Sequence, residues 1–112
     1  MKRYHIVVKF DKEKIANIDF CKLHLIFTKH FKQRACLKRI PKPYKALLKR
    51  GKIFEYYTDD NENLLKFVIR CKYNENCDVC YVLTPTGRVI TGWWQDTNDS
   101  HSTLKINLYE RR

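Results

Sequence analysis

Pro43-Tyr-Lys-Ala-Leu47-Leu48-Lys-Arg-Gly51-Lys-Ile53-Phe-Glu-Tyr-Tyr57 changes its hydrophobic period in the middle. Up to Gly51 the stretch reads as a helix. Pro43 fits a first helical position, Tyr44, Leu47 and Leu48 form one buried edge, and Gly51 falls where a helix closes with a C′ glycine. Lys49 and Arg50 suit the negative end of the helix dipole. Past Gly51 the period becomes two, and Ile53 to Tyr57 reads as a strand.

The helical period extends toward the N-terminus. From Phe27 to Arg39, the residues Phe27, Phe31, Arg34 and Ala35 share one side, with His30 and Leu37 beside them and Lys29, Lys32, Gln33 and Arg39 opposite. Pro41 stops this helix at or before Ile40. Toward the C-terminus the alternation persists. After a turn over residues 58–63, Leu65, Phe67, Ile69, Cys71 and Tyr73 face one way, and Lys66, Val68, Arg70 and Lys72 the other. Cys77 to Thr84 and Arg88 to Gln95 are two further strands around a Pro85-Thr-Gly87 turn. Gly92 marks a bulge or a close backbone approach. Tyr4 to Phe10 reads as an opening strand, Phe20 to Phe27 as either a second strand or the approach to the helix, and residues 102–109 as a short helix or a last strand. This order predicts one α+β domain over residues 1–112, with two basic helices from the N-terminal half packed on one face of a twisted antiparallel sheet of four to five strands.

The chain has 112 residues, 44% of them hydrophobic and 13% aromatic, enough for a packed interior and too many for a disordered tail. Its apolar runs are far too short to span a bilayer, and Lys9 interrupts the opening before a signal core forms, so a cytoplasmic protein without membrane contact is expected. Five cysteines, an odd number, argue against a disulfide framework. Cys77-x-x-Cys80 with Cys71 and a histidine is one conceivable zinc set. A structural site usually pairs two such half-sites and only one exists here, so reduced structural thiols, with neither metal nor cofactor, are the expectation.

The net charge of +11 is concentrated. Lys29, Lys32, Arg34, Lys38, Arg39, Lys42, Lys45, Lys49, Arg50 and Lys52 are ten cations with no Asp or Glu among them. A solvated helix face usually mixes both signs, whereas a segment of one sign makes a focused positive field suited to a phosphate backbone. His30 and Arg34 are i,i+4 neighbours at the margin of the apolar stripe, so their tips can meet a common ligand.

Thr28-Lys-His30-Phe-Lys-Gln-Arg34, the helix–helix–meander order, and Val89-Ile-Thr91-Gly-Trp-Trp with His101 downstream together resemble the barnase/colicin/RelE-like superfamily. Many of its members are RNA-cleaving toxins, and one group pairs a His-x-x-x-Arg helix with a late Val-x-Thr strand. The likeness covers roughly residues 25–109. It implies a metal-independent endoribonuclease of toxin type, in which the substrate 2′-OH is the nucleophile. By that resemblance His30 is the base or acid, Arg34 clamps the phosphate, Thr91 bonds a phosphate oxygen or fixes the imidazole tautomer, and His101, oriented by Asp99, is a second acid or base. Lys32, Lys38, Arg39, Lys49 and Arg50 become the RNA-binding cations, and Trp94, with Trp93 and Tyr81, a surface for stacking an unpaired base. Implied partners are RNA (tRNA or mRNA) and an acidic antitoxin or immunity protein covering residues 29–52. The rival expectation is a non-catalytic module that binds nucleic acid or a host protein, for instance a small phage effector. It keeps the fold and the charge and leaves the histidines incidental.

Overall fold

The computed structural model describes residues 2–5, 24–61 and 63–96. Four long elements form the expected meander: β3 (Lys52–Thr58), β4 (Leu64–Lys72), β5 (Cys77–Leu83) and β6 (Arg88–Asp96), each antiparallel to the next. Two short strands flank it. β1 (Lys2–His5) pairs antiparallel with β3, and β2 (Ile26–Phe27) pairs parallel with β6, giving the order β1-β3-β4-β5-β6-β2. Helices α1 (Lys29–Lys38) and α2 (Lys45–Lys49) lie between β2 and β3 in the chain. The α+β class and the helices on an essentially antiparallel sheet are therefore as the periodicities indicate, with the two-residue β2 added at one edge.

Local chemistry closes each turn. Asp59 Oδ1 accepts from the backbone N–H groups of Asn61 and Asn63, each at 2.9 Å, while Asn74 Oδ1 accepts from those of Asn76 and Cys77 at 2.8 Å. These are Asx turns, in which the side chain stands in for a backbone acceptor. Gly87 carries the one positive glycine φ among the described residues, +100°, and a Cβ there would collide with the His24 carbonyl.

The core lies between the helices and one sheet face. Phe31 of α1 and Leu47 and Leu48 of α2 pack with Tyr56, Phe67, Ile69, Cys71, Val79, Tyr81, Leu83 and Val89. The opposite face carries buried Val68, Cys80 and Val82, together with a buried ion pair in which Arg70 Nε donates to Asp78 Oδ2 at 2.6 Å. Arg70 Nη2 also donates to the Asp96 carbonyl at 2.9 Å, so the desolvated guanidinium is met by more than one acceptor.

Three expectations need correction. Helix α2 starts at Lys45, because Tyr44, its N-cap, is still extended (φ −133°, ψ 162°); Pro43 precedes the cap and is buried. Gly51 does follow the helix, but its necessity comes from close packing. A Cβ there would sit 2.6–2.7 Å from Ile69 Cγ1, Ile69 Cδ1 and Cys71 Sγ. Leu65 is 40% exposed and Leu64 packs against the core instead, because the register slips between Tyr57 and Thr58 and shifts the alternation of β4 by one. The opening strand starts at Lys2, two residues before the expected Tyr4–Phe10 element, and residues 6–23 and 97–112 lie outside the described residues.

Candidate nucleic-acid interface

Helix α1 runs along β6 and is tied to it at three places. Thr28, the N-cap, accepts from Phe31 N at 3.1 Å and donates its hydroxyl proton to the Ile90 carbonyl at 2.9 Å. Arg34 Nε donates to the Gly92 carbonyl at 2.6 Å. Trp94 Nε1 donates to the Lys38 carbonyl at 2.9 Å, satisfying one of the orphan carbonyls in the last turn of the helix. The chain leaves the helix through Arg39 in the left-handed region (φ 55°).

These ties have a common cause. β2 pairs only with Arg88 and Val89, so beyond Val89 the outer edge of β6 has no strand partner among the described residues. An edge strand leaves backbone carbonyls unpaired. Thr28 and Arg34 supply the donors that an additional strand would have supplied.

With α1 fixed in this way, His30, Gln33, Arg34, Leu37 and Lys38 line a shallow groove of about 190 Å³. His30 and Arg34 are thus brought to one site, as their spacing indicates. His30 is exposed, whereas Arg34 is half-buried with Nε committed to the Gly92 carbonyl. Leu37, expected beside the apolar stripe, is 81% exposed in the same groove.

Thr91 is not part of this group. Val89 faces the core, and straight alternation would put Thr91 on the same side as Val89. The register shift between Val82 and Leu83 leaves Ile90 as an extra residue, which inverts the parity. Thr91 pairs with Val82 on the sheet face away from α1, and Gly92 turns toward the helix. The sheet therefore separates the Thr91 side chain from His30, in contrast to the expectation that places the two together. His101 and Asp99 lie outside the described residues.

The aromatic expectations divide. Tyr81 offers no stacking surface. It is fully buried, its hydroxyl donates to the Pro41 carbonyl at 2.7 Å, and burial first, then neighbouring thiols and phenols, pushes its pKa far above the ordinary range. Trp93 pairs with Cys80 and so lies on the face opposite α1. Trp94 is half-buried against the core and holds the C-terminal end of α1, with exposed Tyr73 edge-on to it at a centroid distance of 5.1 Å. The β4 alternation puts Tyr73 on the core stripe, yet it is a surface ring. Its position one residue past the strand, beside the Asn74 turn, is the signal that frees it.

The cations behave uniformly. Lys29, Lys32, Lys38, Arg39, Lys42, Lys45, Lys49, Arg50 and Lys52 are all exposed. Among the described residues no acid pairs with Lys29, Lys32, Lys38, Arg39, Lys45 or Lys52, while Arg50 Nη2 reaches Tyr44 Oη at 3.4 Å and Lys42 Nζ lies over the Phe27 ring at 5.3 Å.

The cysteines are arranged differently from a zinc half-site. Residues three apart in a strand face opposite ways, so the pleat of β5 turns Cys77 and Cys80 to opposite sides, and Cys71 faces the core. Among the described residues no three His, Cys, Asp or Glu side chains converge on one point. Burial pushes both the Cys71 and Cys80 thiols up to about 12, which keeps them protonated. No described helix is long and apolar enough to cross a membrane.

No protein-family model, curated protein or solved structure matches this chain.

Proposed function

We infer that the protein is RNA-directed and grips the phosphate backbone through the surface formed by α1, the 39–44 connection and α2. One observation carries this reading: ten cations follow one another from Lys29 to Lys52 without an intervening acid, nine of them exposed, and all but Lys52 belong to α1, α2 or the segments that join and cap them. Crowding like charges there costs free energy that a polyanion returns, through both Coulomb attraction and counterion release. An acidic protein such as an antitoxin or immunity partner would compete for the same surface.

A cleaving activity is the fuller form of this reading, and the shared groove of His30 and Arg34 favours it. In metal-independent cleavage His30 takes the 2′-OH proton as the 2′-oxygen attacks the adjacent phosphorus. The Arg34 Nη groups meet the charge on the phosphorane, and the 5′-oxygen leaves with a proton from a second acid. The products are a 2′,3′-cyclic phosphate and a 5′-hydroxyl.

Incubation with tRNA, mRNA and total RNA in EDTA tests both levels. Binding that weakens steeply between low and physiological salt supports the RNA-directed reading, and salt-independent binding or none overturns it. Cyclic-phosphate ends that vanish in His30→Ala support cleavage. Binding without cleavage leaves a recognition module.

A further inference from the structure

Where the C-terminal end of α1 meets the ends of β4 and β6, two exposed phenol rings stand among cations. Tyr73 is 48% exposed and is held edge-on by Trp94 at an interplanar angle of 75°, a geometry that orients the ring without sandwiching it. Trp94 is itself fixed by its bond to the Lys38 carbonyl. Tyr44 is 51% exposed, and its hydroxyl accepts from Arg50 Nη2. The 39–44 connection links the two rings: it leaves the Lys38 carbonyl that holds Trp94, is pinned at Pro41 by the buried Tyr81 hydroxyl, and ends at Tyr44. Lys38, Arg39 and Arg50 border it, all exposed.

A duplex presents phosphates and sugars outward and hides the faces of its bases, so flat rings add nothing to gripping it. A single strand offers both charge and unstacked base faces, and every base has a face that an aromatic ring can cover. We propose that this patch is the base-stacking part of the interface, so that the protein takes single-stranded rather than duplex RNA. One unpaired base stacks on Tyr73 and another on Tyr44, while Lys38, Arg39 and Arg50 hold the intervening phosphates. This rests on the RNA-directed reading and adds to it the class of strand.

The test measures affinities at low salt for oligo(U) and for an RNA duplex of equal total charge, using wild-type protein, Tyr73→Ala, Tyr73→Phe and Tyr44→Ala, with folding followed by circular dichroism. Wild-type protein binds oligo(U) more tightly than the duplex. Tyr73→Ala and Tyr44→Ala each weaken oligo(U) binding about fivefold or more and leave duplex binding within about twofold, while Tyr73→Phe binds like wild type. A duplex bound as tightly as oligo(U), a reading that needs no variant, overturns the proposal. So does an alanine effect equal on both ligands, or one absent on both; in these cases the RNA-directed reading stands. Wild-type protein that binds neither ligand overturns both.

Discussion

Replacing Gly92 by alanine is the sharpest perturbation the fold offers, because it probes the contact that seats α1 on the sheet. The new Cβ would lie 2.9 Å from the Cys80 carbonyl oxygen, 3.1 Å from Tyr81 Cδ1 and 3.3 Å from Phe31 Cε1. The first is backbone in a paired strand, and Tyr81 and Phe31 are both fully buried, so none of the three neighbours is a flexible tip with room to swing aside. Inserting a methylene-sized group into such a site costs about 1–3 kcal/mol. Against this, alanine restricts the unfolded chain and returns about 0.4–1 kcal/mol. The net expectation is a loss of about 1–2 kcal/mol. With a urea dependence of about 1–3 kcal/mol per molar, the unfolding midpoint falls by roughly 1 M. A midpoint that is unchanged or raised, with the urea dependence also unchanged, would refute the claim that Phe31 and the Gly92 backbone are in close contact. Gly51→Ala provides an internal comparison. Its clashes at 2.6–2.7 Å are with fully buried Ile69 and Cys71, so it falls at least as far.

Other consequences are accessible to the same measurements. Arg34→Ala deletes a charge-assisted bond to a half-buried carbonyl and costs about 1–2 kcal/mol in urea melts, so any loss of RNA affinity in that variant must be compared at matched folded fraction. Trp94→Phe keeps an aromatic side chain but removes the N–H bonded to the Lys38 carbonyl together with the five-membered ring that carries it; a loss of at least about 1 kcal/mol is expected, and none would show that the helix end is satisfied by water. Lys38→Ala and Arg39→Ala each reduce the slope of log affinity against log salt by about 0.7 for single-stranded RNA if they contact phosphates, measured by anisotropy titration. The Cys71 and Cys80 thiols are raised from 9.0 to about 12 in the fold, so their contribution is fully present below about pH 9 and is lost as pH rises toward 12. Urea midpoints therefore drop from pH 8 to pH 11, and drop less in Cys80→Ala; equal drops would contradict the burial.

Much of the architecture was legible in local chemistry. The change from a 3.6-residue to a two-residue period around Gly51 marks the junction between helices and meander, and Thr58–Asn63, Asn74–Asn76 and Pro85–Gly87 each close a turn where their residue types indicate. What local reading misses is parity. A bulge costs one residue and leaves no mark in composition, yet the slips at Thr58 and Ile90 exchange Leu65 for Leu64 and carry Thr91 to the far side of the sheet. The candidate site was readable to the extent that it is helical: the His30–Arg34 spacing and the acid-free charge belong to one element or to adjacent ones. The tertiary duties of Arg34 and Trp94 were hidden, because carbonyl acceptors 58 and 56 residues away are invisible to a window of one helix. Tyr81 and Tyr73 exchange roles for a similar reason, one sealed beneath the loop at Pro41 and the other left in solvent past the end of its strand.

The side chains that tie α1 to β6 also determine how this chain behaves toward its own copies. The Ile90 and Gly92 carbonyls are the acceptors a foreign β-segment would seek in order to extend the sheet, and Thr28 and Arg34 occupy both. Loosening the helix would thus uncover a template for intermolecular strand addition. A doubly substituted Thr28→Val, Arg34→Met chain would be expected to self-associate even where its monomer still folds.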